Sequence, residues 1–510
     1  MMTSWMKAAV FALVATTVFA DDDAIKAGKA ASDWRKANEH QILNDFRDLL
    51  SMPNVATDLD DMARNAGWIE AYIAKRGFSY QRLSAGGAPY VYGERKTPGA
   101  TQTLLIYAHF DGQPVQPENW ASPPFTPTLR DGTIESGAAE VAWPAADTPI
   151  DPEWRLYARS AGDDKAPVVT LMAALDALEA AGTAPTVNIK VLFDGEEERG
   201  SPTLDPLLDK YGHLLDADLM IFCDGPMHQS RQRQLVFGVR GTRTVHLTTY
   251  GPARPLHSGH YGNWAPNPNH ELVKLLSSLH DRNGSIIVDG YLEDVRPLTD
   301  AEDAAVAAMP NIDERMKSEL ALGRTDLDGT RLETAIMKPA IIVKGIAGGG
   351  AGPGKSRNII QPSATASLNL RLVPGQTPAG VEARLNSHFK AEGYHVVYEK
   401  PDAETLMANE RVLYANWSDS GYPAYRSDLT GSQSEKMQAI LAAVDGKQPL
   451  LTPTMGGSLP IYLFDKHLKL PVIILPVANH DNNQHGRNEN MRLQNLWDAI
   501  SAYAAVLAAW

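Results

Sequence analysis

Cysteine is nearly absent from this sequence, which contains a single one, Cys223, among 510 residues. An intrachain disulfide is therefore impossible, and so is a zinc site built on several thiolates. Any metal must be held by histidine, aspartate and glutamate. Basic runs are also missing, and the formal net charge is −14. This excess of acid disfavours nucleic acid and anionic membranes as partners and favours small molecules or peptides.

Apolar runs long enough to cross a membrane, which needs about 20 residues, are missing as well. An apolar stretch at 8–19 follows Lys7 and ends in small residues before the acidic triplet 21–23. This arrangement predicts a secretory signal peptide over 1–20, cleaved after Ala20. We therefore expect a secreted or periplasmic protein that has no membrane contact after cleavage.

Two common hydrolase signatures are absent, namely the G-x-S-x-G elbow of serine hydrolases and the H-E-x-x-H zinc helix. A P-loop pattern, G-x-x-x-x-G-K-S, does occur at 349–356. A P-loop requires a following helix, whereas Pro362 comes soon after and 364–373 alternates as a strand does. A P-loop nucleotide hydrolase is therefore kept only as a remote alternative.

Short apolar runs alternate with helical patterns in the first and last parts of the chain. The predicted buried strands are 103–108, 187–193, 219–223 and 471–476, and the predicted helices are 168–181 and 495–510. Strands that alternate with helices indicate an α/β fold whose sheet is covered on both faces. In such sheets, ligands bind outside the carboxyl ends of the strands.

The middle third of the chain has a different pattern. Segments 242–250, 364–373 and 394–398 alternate polar and apolar residues, which predicts half-buried antiparallel strands, and helices are predicted at 269–279 and 301–308. We predict a discontinuous catalytic domain, 21–238 and 400–510, with a mixed, mainly parallel sheet flanked by helices. A smaller α+β domain, 239–399, is predicted as an insertion that serves as lid and dimerisation domain.

Carboxylates and histidines stand in loops near the ends of the predicted strands. They are His109 and Asp111, Asp163 and Asp164, the acidic run 194–198, Asp224 and His485. So many anionic groups in one cleft would repel one another unless a cation neutralised them. Histidines and carboxylates without thiolate suit two Zn²⁺ ions, although Mn²⁺ or Co²⁺ accept the same donors. Asp111 is expected to accept the second N–H of His109 and so to orient the ring.

Six motifs occur in order along the chain. They are A-H-F-D at 108–111, G-D-D-K at 162–165, E-E-x-G-S at 197–201, Asp224, H-S-G at 257–259 and Q-H-G-x-N-E at 484–489. Through them the chain resembles the co-catalytic zinc peptidases of metallopeptidase family M20, which includes carnosinase-type dipeptidases, glutamate carboxypeptidases and aminoacylases. The resemblance implies hydrolysis of an amide bond in small peptides, of the dipeptidase or carboxypeptidase type. An N-acyl amino acid deacylase is the alternative.

The resemblance also implies a role for each site residue. His109 and Asp224 would bind one zinc, Glu198 and His485 the other, and Asp163 both. The catalytic residues would be Glu197 as general base, Asp111 beside His109, and His257, which would reach the substrate carbonyl oxygen from the partner subunit of a homodimer. Arg371 would hold the substrate's carboxylate, with Asn358, Gly457 and Ser458 as further contacts.

The sequence departs from the family pattern at two places. Ala166 stands where glycine is common after the lysine of G-D-D-K, and the segment 135–153 has no counterpart that can be assigned. The first departure affects no ligand, whereas the second bears on the shape of the pocket. The extended inserted domain, with a long helical stretch after 297–299, favours the dipeptidase branch over the deacylases.

Overall fold

The computed structural model describes residues 3–510, with side chains for all of them except 3–21 and 328. The chain divides into two compact units. The first unit comprises Met1–Phe237, Ser427–Pro453 and Leu463–Trp510, and the second comprises Gly238–Arg426 and Thr454–Tyr462. The candidate signal peptide, 1–20, lies outside the residues whose side chains are described.

Both units contain helices as well as strands. The helices, in chain order, are α1 (Thr3–Leu50), α2 (Leu59–Ala74), α3 (Ala166–Ala180), α4 (Leu204–Tyr211), α5 (Ser258–Tyr261), α6 (Pro268–Ser277), α7 (Asp300–Ala308), α8 (Asp313–Glu319), α9 (Leu332–Ile336), α10 (Pro378–Ala391), α11 (Ala403–Ala408), α12 (Ser432–Asp445), α13 (Ile461–Leu468) and α14 (Leu493–Ala509).

The strands are mostly short. In chain order they are β1 (Ser79–Leu83), β2 (Tyr90–Arg95), β3 (Thr103–His109), β4 (Thr128–Arg130), β5 (Glu140–Val141), β6 (Arg155–Tyr157), β7 (Asn188–Asp194), β8 (Leu219–Phe222), β9 (Gln234–Val236), β10 (Gly238–Val239), β11 (Gly241–Tyr250), β12 (Leu256–His257), β13 (Ala340–Ala347), β14 (Ile359–Ile360), β15 (Ser363–Leu372), β16 (His395–Val397), β17 (Val412–Tyr422), β18 (Tyr425–Arg426), β19 (Leu450–Thr452), β20 (Val472–Ile474) and β21 (Asn490–Arg492).

An eight-stranded sheet forms the centre of the first unit, in the order β1-β2-β7-β3-β8-β20-β9-β19. Its four middle strands, β7, β3, β8 and β20, are parallel to one another. The strands on either side of them run the other way, since β2 is antiparallel to β7 and β9 is antiparallel to β20, and β1 is in turn antiparallel to β2. Residues from the second position of β3 to its end are buried, as is typical of a parallel strand covered on both faces. Because His109 is paired with Asp194 and Tyr107 with Phe222, the three strands β3, β7 and β8 end at the same edge.

The helix α3 is buried along nearly its whole length and packs against α1 and α14. Its sequence is apolar on all sides, which is typical of a helix enclosed by other elements. Pro167 lies in the first turn, where its missing N–H costs no hydrogen bond.

A second, four-stranded sheet of the first unit has the order β21-β6-β4-β5 and is antiparallel throughout. Asn490 on β21 is opposite Tyr157 on β6. This pairing joins the segment before residue 163 to the segment after residue 485. The small sheet therefore positions two loops that are far apart in the sequence.

The second unit is built on a five-stranded sheet with the order β13-β15-β11-β17-β16. Only the β16–β17 pair is parallel among these described strands. Alternate residues of β15 are buried, and Leu368 and Leu370 pack with Leu247 of β11 and Phe389 of α10 in one core. The alternation seen in the sequence therefore corresponds to one packed face of this sheet.

The predicted α/β fold class, with a second α+β unit, is confirmed. The sequence placed the end of the insertion at 399, whereas β17 lies inside the second unit's sheet and 454–462 also belongs to that unit. The boundary differs because β17 pairs with β11, which lies far away in the sequence.

The P-loop alternative is wrong. The segment 349–356 is followed by β14 and β15 rather than by a helix, so no helix N-terminus is available there to bind phosphate. In the described part of the chain, no helix is both long and apolar enough to span a bilayer.

Candidate metal centre

The histidines and carboxylates predicted from the sequence converge in the first unit, at the edge where β3, β7 and β8 end. His109 is the last residue of β3, Asp163 lies just before α3, Glu197 and Glu198 form a 3₁₀ turn after β7, Asp224 lies two residues after β8, and His485 lies in the loop before β21. The cluster therefore lies where ligands are expected in such sheets, at the carboxyl ends of the parallel strands.

One group in this cluster consists of His109, Asp163 and Asp224. The Nε2 atom of His109 lies 2.8 Å from Oδ1 of Asp163 and 3.7 Å from Oδ2 of Asp224. All three side chains are buried, and one ligand atom from each lies within 4.8 Å of the others. This spacing is compatible with coordination of a single metal ion by one nitrogen and two oxygens.

A second group consists of Asp163, Glu198 and His485. The Nε2 atom of His485 lies 3.2 Å from Oδ2 of Asp163 and 3.2 Å from Oε2 of Glu198. These ligand atoms also lie within 4.8 Å of one another. Asp163 is therefore shared, because its Oδ1 faces the first group and its Oδ2 faces the second.

The electrostatics of the cluster favour a cation. Burial, followed by the negative charge of Asp163, raises the pKa of Asp224 to about 7. Hydrogen bonds to Asp163 and Glu198 raise the pKa of His485 to about 11. Carboxylates held close together in a buried site repel one another, and a divalent cation relieves that repulsion. The oxygen and imidazole donors present here are those that Zn²⁺ prefers in the absence of thiolate.

Asp111 lies behind His109, where it contacts the ring from the side opposite Asp163. Its Oδ1 atom is 3.3 Å from Nδ1 of His109, and its two oxygens accept the main-chain N–H groups of Glu197 and Glu198, each at 3.0 Å. Burial alone would lower the pKa of His109, but its contacts with Asp111 and Asp163 raise that pKa overall. Asp111 thus connects the imidazole with the turn that carries Glu197 and Glu198.

Glu489 is a residue whose role sequence reasoning missed, although it ends the Q-H-G-x-N-E motif. This fully buried carboxylate accepts hydrogen bonds from Arg159 Nη1 at 2.7 Å and from the main-chain N–H groups of Ser160 at 3.0 Å, Gly162 at 3.0 Å and Asp163 at 2.9 Å. Arg159 also donates to the carbonyl of Gly486 at 3.1 Å. Glu489 therefore ties the loop of Asp163 to the loop of His485.

The acidic run 194–198 divides into two sets by direction. Asp194 is buried and accepts from Tyr107 Oη at 2.9 Å and Ser201 Oγ at 2.8 Å. Glu196 is also buried and accepts from Tyr90 Oη at 3.1 Å. These two acids hold the turn through buried hydrogen bonds, and the next two, Glu197 and Glu198, lie at the site. From sequence alone, the run is equally typical of a solvated surface.

The other predicted site residues lie in the second unit, in two places. His257 ends β12, accepts the N–H of Gly259 at 3.1 Å through Nδ1, and is paired with Ile359, next to Asn358. Arg371 on β15 donates from Nη1 to Ser458 Oγ at 2.8 Å. Gly457 accepts, through its carbonyl, the main-chain N–H of Arg240 at 3.0 Å. Arg371, Gly457 and Ser458 are thus brought together, and Arg240 is a neighbour that the sequence did not single out.

Comparison with known proteins agrees with the resemblance that the sequence motifs indicate. The sequence profile described as Peptidase family M20/M25/M40 matches residues 105–509. The chain is 26% identical to Cys-Gly metallodipeptidase dug1 of Schizosaccharomyces pombe, over 89% of this chain and 90% of that protein. It is 26% identical to Beta-Ala-His dipeptidase of Rattus norvegicus, over 82% and 79%. The solved M20 family metallo-carboxypeptidase Sso-CP2 of Sulfolobus solfataricus has a TM-score of 0.73 at 26% identity and covers 92% of this chain and 98% of its own.

The prediction of a secreted or periplasmic protein, cleaved after Ala20, is wrong. The Cys-Gly metallodipeptidases of three yeasts, which match 80–89% of this chain, are cytosolic enzymes. The pattern misled because a lysine followed by about a dozen apolar residues is typical of a signal peptide but also of an ordinary apolar helix.

Proposed function

Because the chain belongs to peptidase family M20/M25/M40 and is therefore a metal-dependent peptidase, we propose that it hydrolyses dipeptides with the help of two divalent cations. The residues proposed to hold them are His109, Asp163, Glu198, Asp224 and His485. Their nitrogen and oxygen donors suit Zn²⁺, and Mn²⁺ or Co²⁺ accept the same set.

The position of Asp163 is the observation that carries this proposal. Its Oδ1 atom lies 2.8 Å from Nε2 of His109, and its Oδ2 atom lies 3.2 Å from Nε2 of His485. A carboxylate that turns one oxygen toward each of two ligand groups supports a bridged pair of cations, as in two-metal hydrolases. Glu489 supports the same assignment, because it holds the main-chain N–H of Asp163 at 2.9 Å.

Glu197 is proposed as the general base. Bound divalent cations would polarise the scissile carbonyl group and lower the pKa of water. Burial, together with the charges of Asp224 and Glu198, raises the pKa of Glu197 well above its usual range, which suits a carboxylate to accept a proton near neutral pH. Glu197 would take a proton from the attacking water and pass it to the leaving amine nitrogen. Asp111 holds the main-chain N–H of Glu197 and thereby fixes the place of the base.

The proposed substrates are dipeptides because similar proteins with high coverage carry the names Cys-Gly metallodipeptidase and Beta-Ala-His dipeptidase. In this proposal Arg371 holds the substrate's carboxylate, with Gly457 and Ser458 beside it, because a guanidinium binds a carboxylate through two parallel hydrogen bonds. Asn358, which lies next to the His257 strand, is proposed as a further substrate contact. A homodimer through the second unit is proposed as well, with His257 donating to the carbonyl oxygen of the substrate in the partner's site.

Substitution of the base tests the mechanism. We expect Glu197→Gln to lower kcat by about 10²–10⁴, the usual contribution of a general base, without loss of bound metal. Metal content should be measured by atomic emission alongside the kinetics. A Glu197→Gln protein that keeps its metal and full activity would contradict the assignment. A suitable control is Glu140→Gln, since the Glu140 side chain is 65% exposed on β5 of the same unit.

A substrate screen tests the reaction class. Dipeptides and N-acetyl amino acids should be compared at equal concentrations, with the metal removed and then restored. We expect hydrolysis of dipeptides that depends on the restored metal. Hydrolysis of the N-acetyl amino acids alone would instead support the deacylase alternative.

Mixing of two inactive variants tests the dimer. If His257 acts in trans, heterodimers of His257→Ala and Glu197→Gln contain one site with both native residues, so part of the activity should return. Light scattering should first establish that dimers form and exchange. Complete exchange without recovery of activity would refute action in trans.

A further inference from the structure

Two guanidinium groups lie close together in the second unit without a carboxylate partner. Arg371 is on β15, and Arg240 immediately precedes β11, whose residues Gly241 and Thr242 are paired with Leu372 and Arg371. Neither arginine forms an ion pair with any carboxylate among the described side chains. Arg243 of the same unit differs, since its Nη2 lies 2.6 Å from Oε2 of Glu382.

The contacts of Arg240 leave its charge uncompensated. The residue is 8% exposed, its Nη2 donates to the carbonyl oxygen of Lys338, and its Nε is buried with no hydrogen-bond partner. Its main-chain N–H donates to Gly457, the neighbour of Ser458, and Ser458 Oγ accepts from Arg371 at 2.8 Å. Arg240 and Arg371 thus border the same short loop.

Such an arrangement is unfavourable unless an anion occupies it. Burial, and secondly the positive charge of Arg371, lowers the pKa of Arg240 to about 10. Charged groups that are taken out of water normally have a counter-ion, because an unpaired buried charge costs several kcal/mol. Two like charges beside the same loop increase this cost. Carboxylates are good occupants, because a guanidinium presents N–H groups with matching geometry.

We propose that Arg240 is a second guanidinium of the substrate-carboxylate site, where it acts together with Arg371 and the hydroxyl of Ser458. This inference rests on the proposed function and makes it more specific. The enzyme would require a free carboxylate on its substrate and would discriminate strongly against the corresponding amide. If Arg240 only tied Lys338 to Gly457, its loss would affect acids and amides alike.

The test compares a dipeptide acid with its C-terminal amide in the wild type and in the variants Arg240→Gln and Arg240→Lys. A charge-assisted hydrogen bond contributes about 1.5–3 kcal/mol, so the acid-to-amide ratio of kcat/KM should fall at least tenfold in Arg240→Gln. The lysine variant, which keeps the charge, should retain part of the ratio. Arg243→Gln is the matched control and should leave the ratio at the wild-type value.

Equilibrium binding separates this inference from the proposed function. Calorimetry with the Glu197→Gln protein should show tighter binding of the acid than of the amide, and Arg240→Gln in that background should remove most of the difference. An unchanged preference for the acid, or an equal loss for both ligands, would overturn the role of Arg240. If the wild type hydrolyses no dipeptide yet this preference is present, the proposed function fails while the carboxylate site stands.

Discussion

Replacement of Glu489 by glutamine should weaken metal binding although every proposed metal ligand is kept. In the structure the carboxylate accepts four hydrogen bonds, two on each oxygen, from Arg159, Ser160, Gly162 and Asp163. A glutamine keeps only one oxygen in this position. Its amide N–H groups would face two of the four donors, which then have no acceptor.

The size of the effect follows from these lost acceptors. A buried donor left without a partner costs about 1–3 kcal/mol, so two of them predict a loss of about 2–6 kcal/mol in the free energy of unfolding. The cost of breaking a buried ion pair, about 3–5 kcal/mol, falls in the same range. Because the main-chain N–H of Asp163 is one of the donors, Asp163 should also be held less firmly. Loss of an outer partner of a metal ligand typically weakens metal binding about 10–100-fold.

The assay has two parts. Competition with a chelator of known affinity gives the dissociation constant for Zn²⁺, and urea unfolding of the metal-free protein gives the stability. Glu140→Gln is the matched control. The Glu140 side chain is 65% exposed, and its ion pair with Arg130 is long at 3.6 Å. Unchanged Zn²⁺ affinity in Glu489→Gln would refute the claim that Glu489 positions Asp163. Lower stability with unchanged affinity would assign Glu489 to the fold alone.

Three further predictions concern the same unit. Gly195→Ala should destabilise the protein by about 1–3 kcal/mol and lower kcat, because the added Cβ would clash with the Pro89 carbonyl oxygen; Gly323→Ala, with nothing within 4 Å of the added Cβ, is the control in urea unfolding. Asp111→Asn should weaken Zn²⁺ binding about 10–100-fold, measured by chelator competition, since an amide can accept only one of the two N–H bonds from Glu197 and Glu198. Removal of the metal should lower the unfolding free energy by about 4 kcal/mol relative to protein at a thousandfold excess over Kd, and an unchanged melting temperature would contradict a metal bound by the folded state.

Much of the fold was predictable because the period of the apolar pattern differs between its parts. The continuous apolar run at 103–108 predicts a strand covered on both faces, and the structure has β3 there. The alternation at 364–373 predicts a strand with one buried face, and β15 has that burial pattern. β17 escaped prediction because its place in the second unit depends on pairing with β11, which sequence periodicity does not encode.

The convergence of the candidate ligands was predictable from the sequence, whereas the contacts that support them were not. His109, Asp163 and Asp224 follow strands or precede a helix at one sheet edge. Residues after parallel strands meet at the carboxyl edge of the sheet, so their convergence could be expected. Glu196 and Glu197 are neighbours of the same type, yet one is buried beneath the turn while the other is at the site. The tertiary positions of Tyr90, Ala88 and Thr203, which all donate to Glu196, make that distinction. The role proposed for Arg240 likewise depends on its closeness to Arg371, which the sequence does not reveal.

Metal stoichiometry tests the central claim that five side chains of the first unit hold a pair of divalent cations. Purified protein should be stripped with a chelator and titrated with Zn²⁺, while bound metal and dipeptide hydrolysis are followed together. The account predicts activity that is lost on stripping and returns fully at about two cations per chain, with both sites weakened in Asp163→Asn. Full activity in the stripped protein, or unaltered binding at both sites in Asp163→Asn, would contradict it.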